Sequence, residues 1–122
     1  MKKVLIVEDE DIIVGLLEKK LTQEGYEVSI AYNGEEGMEK LRSVKPDIVL
    51  LDIVMPKKSG YEVMEEMSKD PELSKIPIIV ISNSGQPVEL DKAKNMGAKD
   101  WLVKTQFDPK EVVEKVRRLI GE

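Results

Sequence analysis

Five short aliphatic runs alternate along the chain with segments in which apolar residues recur every three or four positions. The run from Ile48 to Asp52 is continuous and rich in branched side chains, a pattern typical of a strand buried on both faces of a sheet. The second run alternates apolar and polar residues, which also indicates a strand. The predicted strands are Lys3–Val7, Glu27–Ala31, Ile48–Asp52, Ile78–Ser82 and 101–103.

The segments between these runs have helical spacing. The first carries its apolar residues from Ile12 to Leu21 and is closed by Gly25, a residue favoured just after a helix. The other predicted helices are 35–44, 60–67, 88–96 and Pro109–Ile120. Strand and helix alternate five times, which implies a parallel sheet with helices on both faces. Without any repeat, linker or low-complexity tract, the sequence predicts one doubly wound α/β domain over residues 1–122.

The composition restricts the chemistry of the chain. Its net charge of −5 argues against a nucleic-acid surface on this domain. The chain has no cysteine, so disulfides and thiolate metal sites are excluded. It also has no histidine, which removes the commonest general base and metal ligand. Any catalysis must therefore use carboxylates, lysines, hydroxyls or a metal held by oxygen atoms.

Polar side chains follow four of the five predicted strands. In open parallel sheets, functional groups gather beyond the carboxyl ends of the strands. Glu8 and Asp9 follow the first strand, Asp52 ends the third, Ser82 ends the fourth and Lys104 follows the fifth. Taken alone, Asp52 is most simply a strand terminator entering a turn, because burying an isolated carboxylate is costly. If these four strands lie together, three acids, a hydroxyl and an amine converge on one spot.

Such a group of side chains suits phosphoryl transfer. Three carboxylates held close together repel one another unless a cation lies among them. Mg²⁺ is suited to that place because it takes oxygen ligands and bridges to phosphate. A carboxylate can act as a nucleophile and form an acyl phosphate. A lysine, a hydroxyl and the metal can then stabilise the charge on the transferred group.

Four stretches in this order and spacing resemble the receiver domain of bacterial two-component response regulators. They are 4–10 (VLIVEDE), 47–56 (DIVLLDIVMP), 77–82 (PIIVIS) and 97–104 (GAKDWLVK). One such stretch alone would be weak, but four in order are specific. The resemblance covers the whole chain and implies a flavodoxin-like fold with five helices and the parallel strand order 2-1-3-4-5, as in the chemotaxis member of that family.

The resemblance also implies roles for individual residues. Asp52 is expected to be the phosphoacceptor, which attacks the phosphorus of a phosphohistidine. Lys104 is expected to pair with Asp52 and then with the phosphoryl group. Ser82 is expected to turn inward and donate a hydrogen bond to a phosphoryl oxygen, and Trp101 is expected to follow it inward. As a fixed core residue, Trp101 would instead keep one position in both states.

A Mg²⁺ site is implied by the same resemblance. Asp9 and Asp52 are expected to bind the metal, with Asp9 in direct contact. Glu8 is expected to act through water, since its side chain is one methylene longer than the more usual aspartate. Val54 is expected to supply a backbone carbonyl oxygen.

The implied partners are a sensor histidine kinase or a histidine phosphotransfer protein, which donates the phosphoryl group. A downstream protein is expected to bind the face formed by the fourth helix, fifth strand and fifth helix. The protein would not be an enzyme with separate substrates, since it would catalyse only its own phosphorylation and slow dephosphorylation. The first apolar run ends at Val7, too short for a signal peptide or membrane span, so no membrane contact and a cytoplasmic location are expected.

Two alternatives stay open at this stage. A degenerate receiver would serve only as a docking module and would never take phosphate. A phosphatase of the haloacid-dehalogenase type also uses an aspartate nucleophile with Mg²⁺, but it needs a second acid two residues later, where this chain has Val54, and its nucleophile follows the first strand. A nucleotide-binding protein is less favoured because no glycine-rich phosphate loop follows the first strand.

The chain departs from the family pattern at two loops. Thr105 stands where a proline usually follows the lysine, so we predict a trans peptide bond after Lys104, because a cis bond before a non-proline residue costs about 2.5–4 kcal/mol. Lys58 and Ser59 replace the more common methionine and aspartate. Lys57 and Lys58 are expected to be solvated.

Overall fold

Residues 1–106 and 108–121 are described by the computed structural model, and they contain every predicted strand and helix. The strands are β1 (Lys3–Val7), β2 (Glu27–Ala31), β3 (Ile48–Asp52), β4 (Ile78–Ser82) and β5 (Asp100–Val103). The helices are α1 (Asp11–Gln23), α2 (Gly34–Val44), α3 (Gly60–Ser68), α4 (Pro87–Asn95) and α5 (Pro109–Ile120), with a short 3-10 turn at Leu73–Lys75. The predicted bounds agree with these to within one or two residues.

The five strands form one parallel sheet in the order β2-β1-β3-β4-β5, which confirms the predicted fold class. The chain leaves β1 toward β2 and then returns to the other side of β1 as β3. In sheets of this kind, this change of direction opens a crevice at the carboxyl ends of the two strands on either side of it, here β1 and β3. The register places Val7 beside Leu51 and Asp52 beside Ile81, so the residues that follow β1 and β3 share one edge of the sheet.

Both faces of the sheet are covered by apolar layers. The layer beneath α2, α3 and α4 contains Met38, Met55, Met64 and Met67, with Met96 packed against its margin. The layer beneath α1 and α5 is built mainly from isoleucine, leucine and valine, and no methionine is among its described members. Because both faces are covered, β3 and β4 are buried along their whole length and β1 is buried from Val4 to Val7, whereas the outer strands β2 and β5 are only partly buried.

The loop from β3 to α3 holds the start of α3 directly against Asp52. A Cβ on Gly60 would lie 2.3 Å from the backbone oxygen of Asp52, so only glycine fits there. Ser59 caps the helix, accepting a hydrogen bond from the backbone nitrogen of Glu62, whose side chain accepts one from Ser59 in return. Serine and aspartate are similarly good caps, so this departure from the family pattern preserves the helix start.

The expectation that Lys58 is solvated is wrong. Its ammonium group forms an ion pair with Glu66 on α3, and its side chain is largely buried. A Cβ on Gly34, at the start of α2, would lie 2.1 Å from the backbone oxygen of Lys58. The loop after β3 is therefore packed between α2 and α3, and this packing shields most of the lysine side chain from water.

Within residues 1–106 and 108–121, no helix has the length and apolar content needed to cross a membrane.

Candidate functional site

Acidic side chains and one lysine meet where β1, β3 and β5 end. Glu8 and Asp52 are completely buried, and the Lys104 side chain is only 7% exposed. Asp9 lies at the surface, yet one oxygen from each of Glu8, Asp9 and Asp52 lies within 4.8 Å of the others. The predicted convergence of these four side chains is thus present in the fold.

Lys104 is the centre of this group. Its Nζ atom lies 3.1 Å from Oδ2 of Asp52 and 3.1 Å from Oε2 of Glu8. A third carboxylate, that of Glu10, also lies 3.1 Å from Nζ. Glu10 immediately precedes α1, and sequence reasoning did not include it among the site residues. The only signal for it was its place in four consecutive acids, Glu8 to Asp11.

The electrostatics of the site favour either protonation of its buried carboxylates or the binding of a cation beside them. Burial raises the pKa of Glu8 to about 7, and the nearby Asp52 charge contributes to the rise. Burial also raises the pKa of Asp52, although Lys104 opposes the shift. Burial lowers the pKa of Lys104, but its contacts with Asp52, Glu10 and Glu8 together raise it above its ordinary value. One lysine therefore offsets only part of the negative charge gathered here.

The donor set fits a hard divalent cation. The Oε1 atom of Glu8 is buried and has no hydrogen-bond partner among the described residues. A buried carboxylate oxygen without a donor is costly, and a metal ion would satisfy it. All the side-chain donors are carboxylate oxygens, which Mg²⁺ prefers. Oδ1 of Asp52 accepts a hydrogen bond of 3.2 Å from the backbone nitrogen of Val54, which orients the carboxylate.

Ser82 lies at the same edge of the sheet, but its hydroxyl is directed toward α4. The hydroxyl donates a hydrogen bond to the side chain of Glu89 and accepts one of 2.9 Å from the backbone nitrogen of Gly85. The backbone oxygen of Ser82 accepts a bond of 2.9 Å from the nitrogen of Lys104, which ties the ends of β4 and β5 together. Sequence reasoning did not identify Glu89.

Trp101 lies on β5 and is 43% exposed. The Nζ atom of Lys115, on α5, lies 5.5 Å from the ring centroid and 3.0 Å from a carboxylate oxygen of Asp100. A cavity of about 130 Å³ opens beside the indole between β4 and α4, with Val80, Leu90 and Ala93 in its lining. Trp101 is thus not buried in the core in this structure.

The peptide bond after Lys104 is trans, as predicted. No cis peptide bond occurs within residues 1–106 and 108–121. The chain instead forms a turn in which the nitrogen of Gln106 donates a hydrogen bond of 2.9 Å to the oxygen of Val103. Thr105 is therefore compatible with Lys104 reaching the acidic group.

Comparison with known proteins assigns this arrangement to a family. The family model described as "response regulator receiver domain" matches residues 4–117. The chain is 42% identical over 120 residues to the chemotaxis protein CheY of Thermotoga maritima, covering 97% of each protein. The structure of the chemotaxis response regulator CheY4 of Vibrio cholerae superposes with a TM-score of 0.90 at 29% identity, and the match covers 98% of each chain.

Longer proteins are among the relatives as well. The chain is 40% identical over 119 residues to the probable transcriptional regulator ycf27 of Pyropia yezoensis. That match covers 98% of this chain but only 47% of the relative, so the chain spans about half the length of that protein.

Proposed function

Because the chain belongs to the response regulator receiver domain family, we propose that it takes a phosphoryl group onto Asp52 and thereby switches a partner-binding face. The observation that carries this proposal is the contact of the fully buried Asp52 carboxylate with Lys104, beside Glu8. A buried carboxylate at the end of the central strand, held by a cation, is positioned as a nucleophile. We propose that residues 1–122 act as one such domain.

The reaction forms one bond and breaks one. An oxygen of Asp52 attacks the phosphorus of a phosphohistidine, the phosphorus–nitrogen bond breaks, and its electron pair returns to the imidazole of the donor. The product is an acyl phosphate on Asp52. Lys104 stabilises the negative charge of the transferred group, and the Val54 nitrogen keeps the carboxylate oriented. Ser82 is proposed to donate its hydroxyl proton to a phosphoryl oxygen after transfer.

Glu8, Asp9 and Asp52 would hold Mg²⁺, with a backbone oxygen of Val54 as a further ligand. When bound, the ion supplies positive charge that offsets the carboxylates and the incoming phosphoryl oxygens. The unpaired Oε1 of Glu8 supports this assignment.

The proposed donor is a sensor histidine kinase or a histidine phosphotransfer protein. The proposed output surface is formed by α4, β5 and α5, where Trp101, Asp100 and Lys115 lie together. This domain is not expected to contact nucleic acid or a membrane, and a cytoplasmic location stays a prediction. The chemistry is confined to its own phosphorylation and slow dephosphorylation, so we do not assign it a separate substrate.

Mass spectrometry after incubation with acetyl phosphate and Mg²⁺ tests the proposal. We expect one added phosphoryl group, lost in Asp52→Asn and retained in Asp47→Asn. Asp47 is a matched control because it precedes the same strand at the opposite end and accepts a hydrogen bond from the Lys3 nitrogen. Modification that persists in Asp52→Asn would overturn the assignment, and an unmodified wild-type protein would favour a docking module. Turnover of phosphate esters would favour a phosphatase.

A further inference from the structure

The Ser82 hydroxyl is fully engaged in this structure. Ser82 is completely buried, and its Oγ atom accepts a hydrogen bond of 2.9 Å from the Gly85 nitrogen. Its single proton is donated to Oε1 of Glu89. A serine hydroxyl has one proton to donate, so this bond excludes donation to any other acceptor.

Glu89 is itself held between two elements. It lies in the first turn of α4 and is half-buried. Its backbone oxygen accepts a hydrogen bond of 3.3 Å from the hydroxyl of Tyr61 on α3. Lys92, one turn later on α4, places its Nζ atom 4.2 Å from the centroid of the Tyr61 ring. The start of α4 is thus tied to α3 through Tyr61 and to β4 through the Glu89 carboxylate.

We propose that Glu89 is a positioning residue that competes with the phosphoryl group on Asp52 for the proton of Ser82. The proposal rests on the proposed function, in which Ser82 donates to a phosphoryl oxygen. Asp52 and Ile81 are partners in the register of β3 and β4, so Ser82 is the next residue along the neighbouring strand. Ser82 can donate a hydrogen bond to the phosphoryl group only after its hydrogen bond to Glu89 has broken.

The competition between Glu89 and the phosphoryl group sets the fraction of molecules in which Ser82 can donate to Asp52's phosphoryl group. A carboxylate is a stronger hydrogen-bond acceptor than a neutral amide, so Glu89 favours the state in which Ser82 faces α4. A protein whose binding-competent state is a minor one binds its ligand with reduced apparent affinity. Replacing the carboxylate by an amide should raise the population of the competent state. The breaking of this bond also releases the first turn of α4 from β4, and this turn belongs to the proposed output surface.

The test measures binding of beryllium fluoride, a phosphoryl analogue, in the presence of Mg²⁺ by fluorine NMR. We expect Glu89→Gln to lower the half-saturating concentration by roughly three- to tenfold. Asp91→Asn is the matched control, since Asp91 is exposed on the same helix and the charge change is identical. It should leave the half-saturating concentration unchanged. Glu89→Ala supplies a second variant that also removes the acceptor, and it should act in the same direction.

A double-mutant cycle with Ser82→Ala separates positioning from a structural role. An acid in the first turn stabilises a helix whether or not Ser82 is present, whereas competition requires the hydroxyl. We therefore expect Glu89→Gln to have no effect in the Ser82→Ala background. Unchanged or weaker binding in Glu89→Gln, or an equal effect in both backgrounds, would overturn the inference. Phosphorylation of Asp52 in the wild-type protein would still stand in that case, so the two failures are distinguishable.

Discussion

Lys104 donates a hydrogen bond of 3.1 Å from its ammonium group to Oδ2 of Asp52, a residue 52 positions earlier in the chain. The same nitrogen contacts Glu8, the other buried carboxylate of the site. Both carboxylates are proposed metal ligands. The lysine and a divalent cation therefore compete for the same negative charge.

This competition predicts that Lys104→Met binds Mg²⁺ more tightly than the wild-type protein. Removing one positive charge beside two buried carboxylates should raise the affinity by roughly tenfold. Calorimetric titration with Mg²⁺ at pH 8, without a phosphodonor, measures this affinity. Lys99→Met is the control, because Lys99 is an exposed lysine before the opposite end of β5. An affinity that stays the same or falls in Lys104→Met would contradict the prediction.

The raised pKa of Glu8 predicts how stability depends on pH in the metal-free protein. The folded state holds the proton up to a pKa of about 7, whereas an ordinary glutamate releases it near 4.5. Between these values the folded state binds more protons than the unfolded state, so the free energy of unfolding falls as pH rises. The loss should be on the order of 1–3 kcal/mol.

Urea denaturation in EDTA at pH values from 4.5 to 8 measures this slope. Glu8→Gln should flatten it, and Glu18→Gln, an exposed acid on α1, should not. Saturating Mg²⁺ should restore stability above pH 7, because it binds the folded carboxylates. The prediction fails if the free energy of unfolding rises from pH 4.5 to 8 and Glu8→Gln removes that rise. Burial would then not disfavour the charged form of the Glu8 carboxylate.

Val54 predicts a long-lived acyl phosphate. Its side chain, two residues after Asp52, is 61% exposed and offers no hydrogen-bonding group to orient an attacking water. Val54→Asn should shorten the phosphoryl lifetime several-fold, measured by mass after removal of the donor. Val88→Asn makes the same change at an exposed valine on α4 and is the control. A lifetime unchanged or lengthened in Val54→Asn would refute the argument about water access.

Gly60 and Gly15 form a matched pair for stability. Gly60→Ala places a Cβ 2.3 Å from the Asp52 backbone oxygen, and such overpacking should cost at least about 1–3 kcal/mol. Gly15→Ala, inside α1 with no atom within 4 Å of its Cβ, should stabilise the protein by about 0.5–1 kcal/mol. Thermal and urea unfolding give both values. If the two substitutions changed the free energy of unfolding equally, the contact between α3 and Asp52 would relax around the new Cβ without a loss of stability.

Trp101 is the only tryptophan, so its fluorescence reports on one position. If phosphorylation draws the half-exposed indole into the cavity between β4 and α4, the emission should shift to shorter wavelength and acrylamide quenching should fall. Ser82→Ala should weaken both changes. An unaltered spectrum in protein shown by mass to be phosphorylated would mean that the ring keeps one position. In its exposed position the ring would also form part of the proposed output surface, so Trp101→Ala should weaken partner binding before phosphorylation.

The sequence predicted the strands, the helices and the four charged groups of the site, because these follow from local patterns and from the rule that parallel strands end at one edge. The ion pair between Glu10 and Lys104 could not be predicted in this way, since it joins residues 94 positions apart through one rotamer of an exposed acid. The bond between Ser82 and Glu89 depends on the path of the loop before α4. Lys58 was wrongly predicted to be solvated because its ion pair with Glu66 and its contact with Gly34 depend on how the loop after β3 packs against α3 and α2, which local patterns do not reveal.

The uneven distribution of the methionines predicts that the two apolar layers differ in how readily their side chains repack. Unbranched thioether side chains adapt to new neighbours at little cost, whereas branched aliphatic side chains have few rotamers. The layer beneath α4 contains four of the six methionines, and the layer beneath α1 and α5 contains none among its described members. We therefore expect the methionine-containing layer to absorb a shift of α4 by repacking more readily than the layer beneath α1 and α5 could. Isotope-labelled methyl groups of Met38, Met55, Met64, Met67 and Met96 would report on that layer, and Met1 is exposed at the N-terminus.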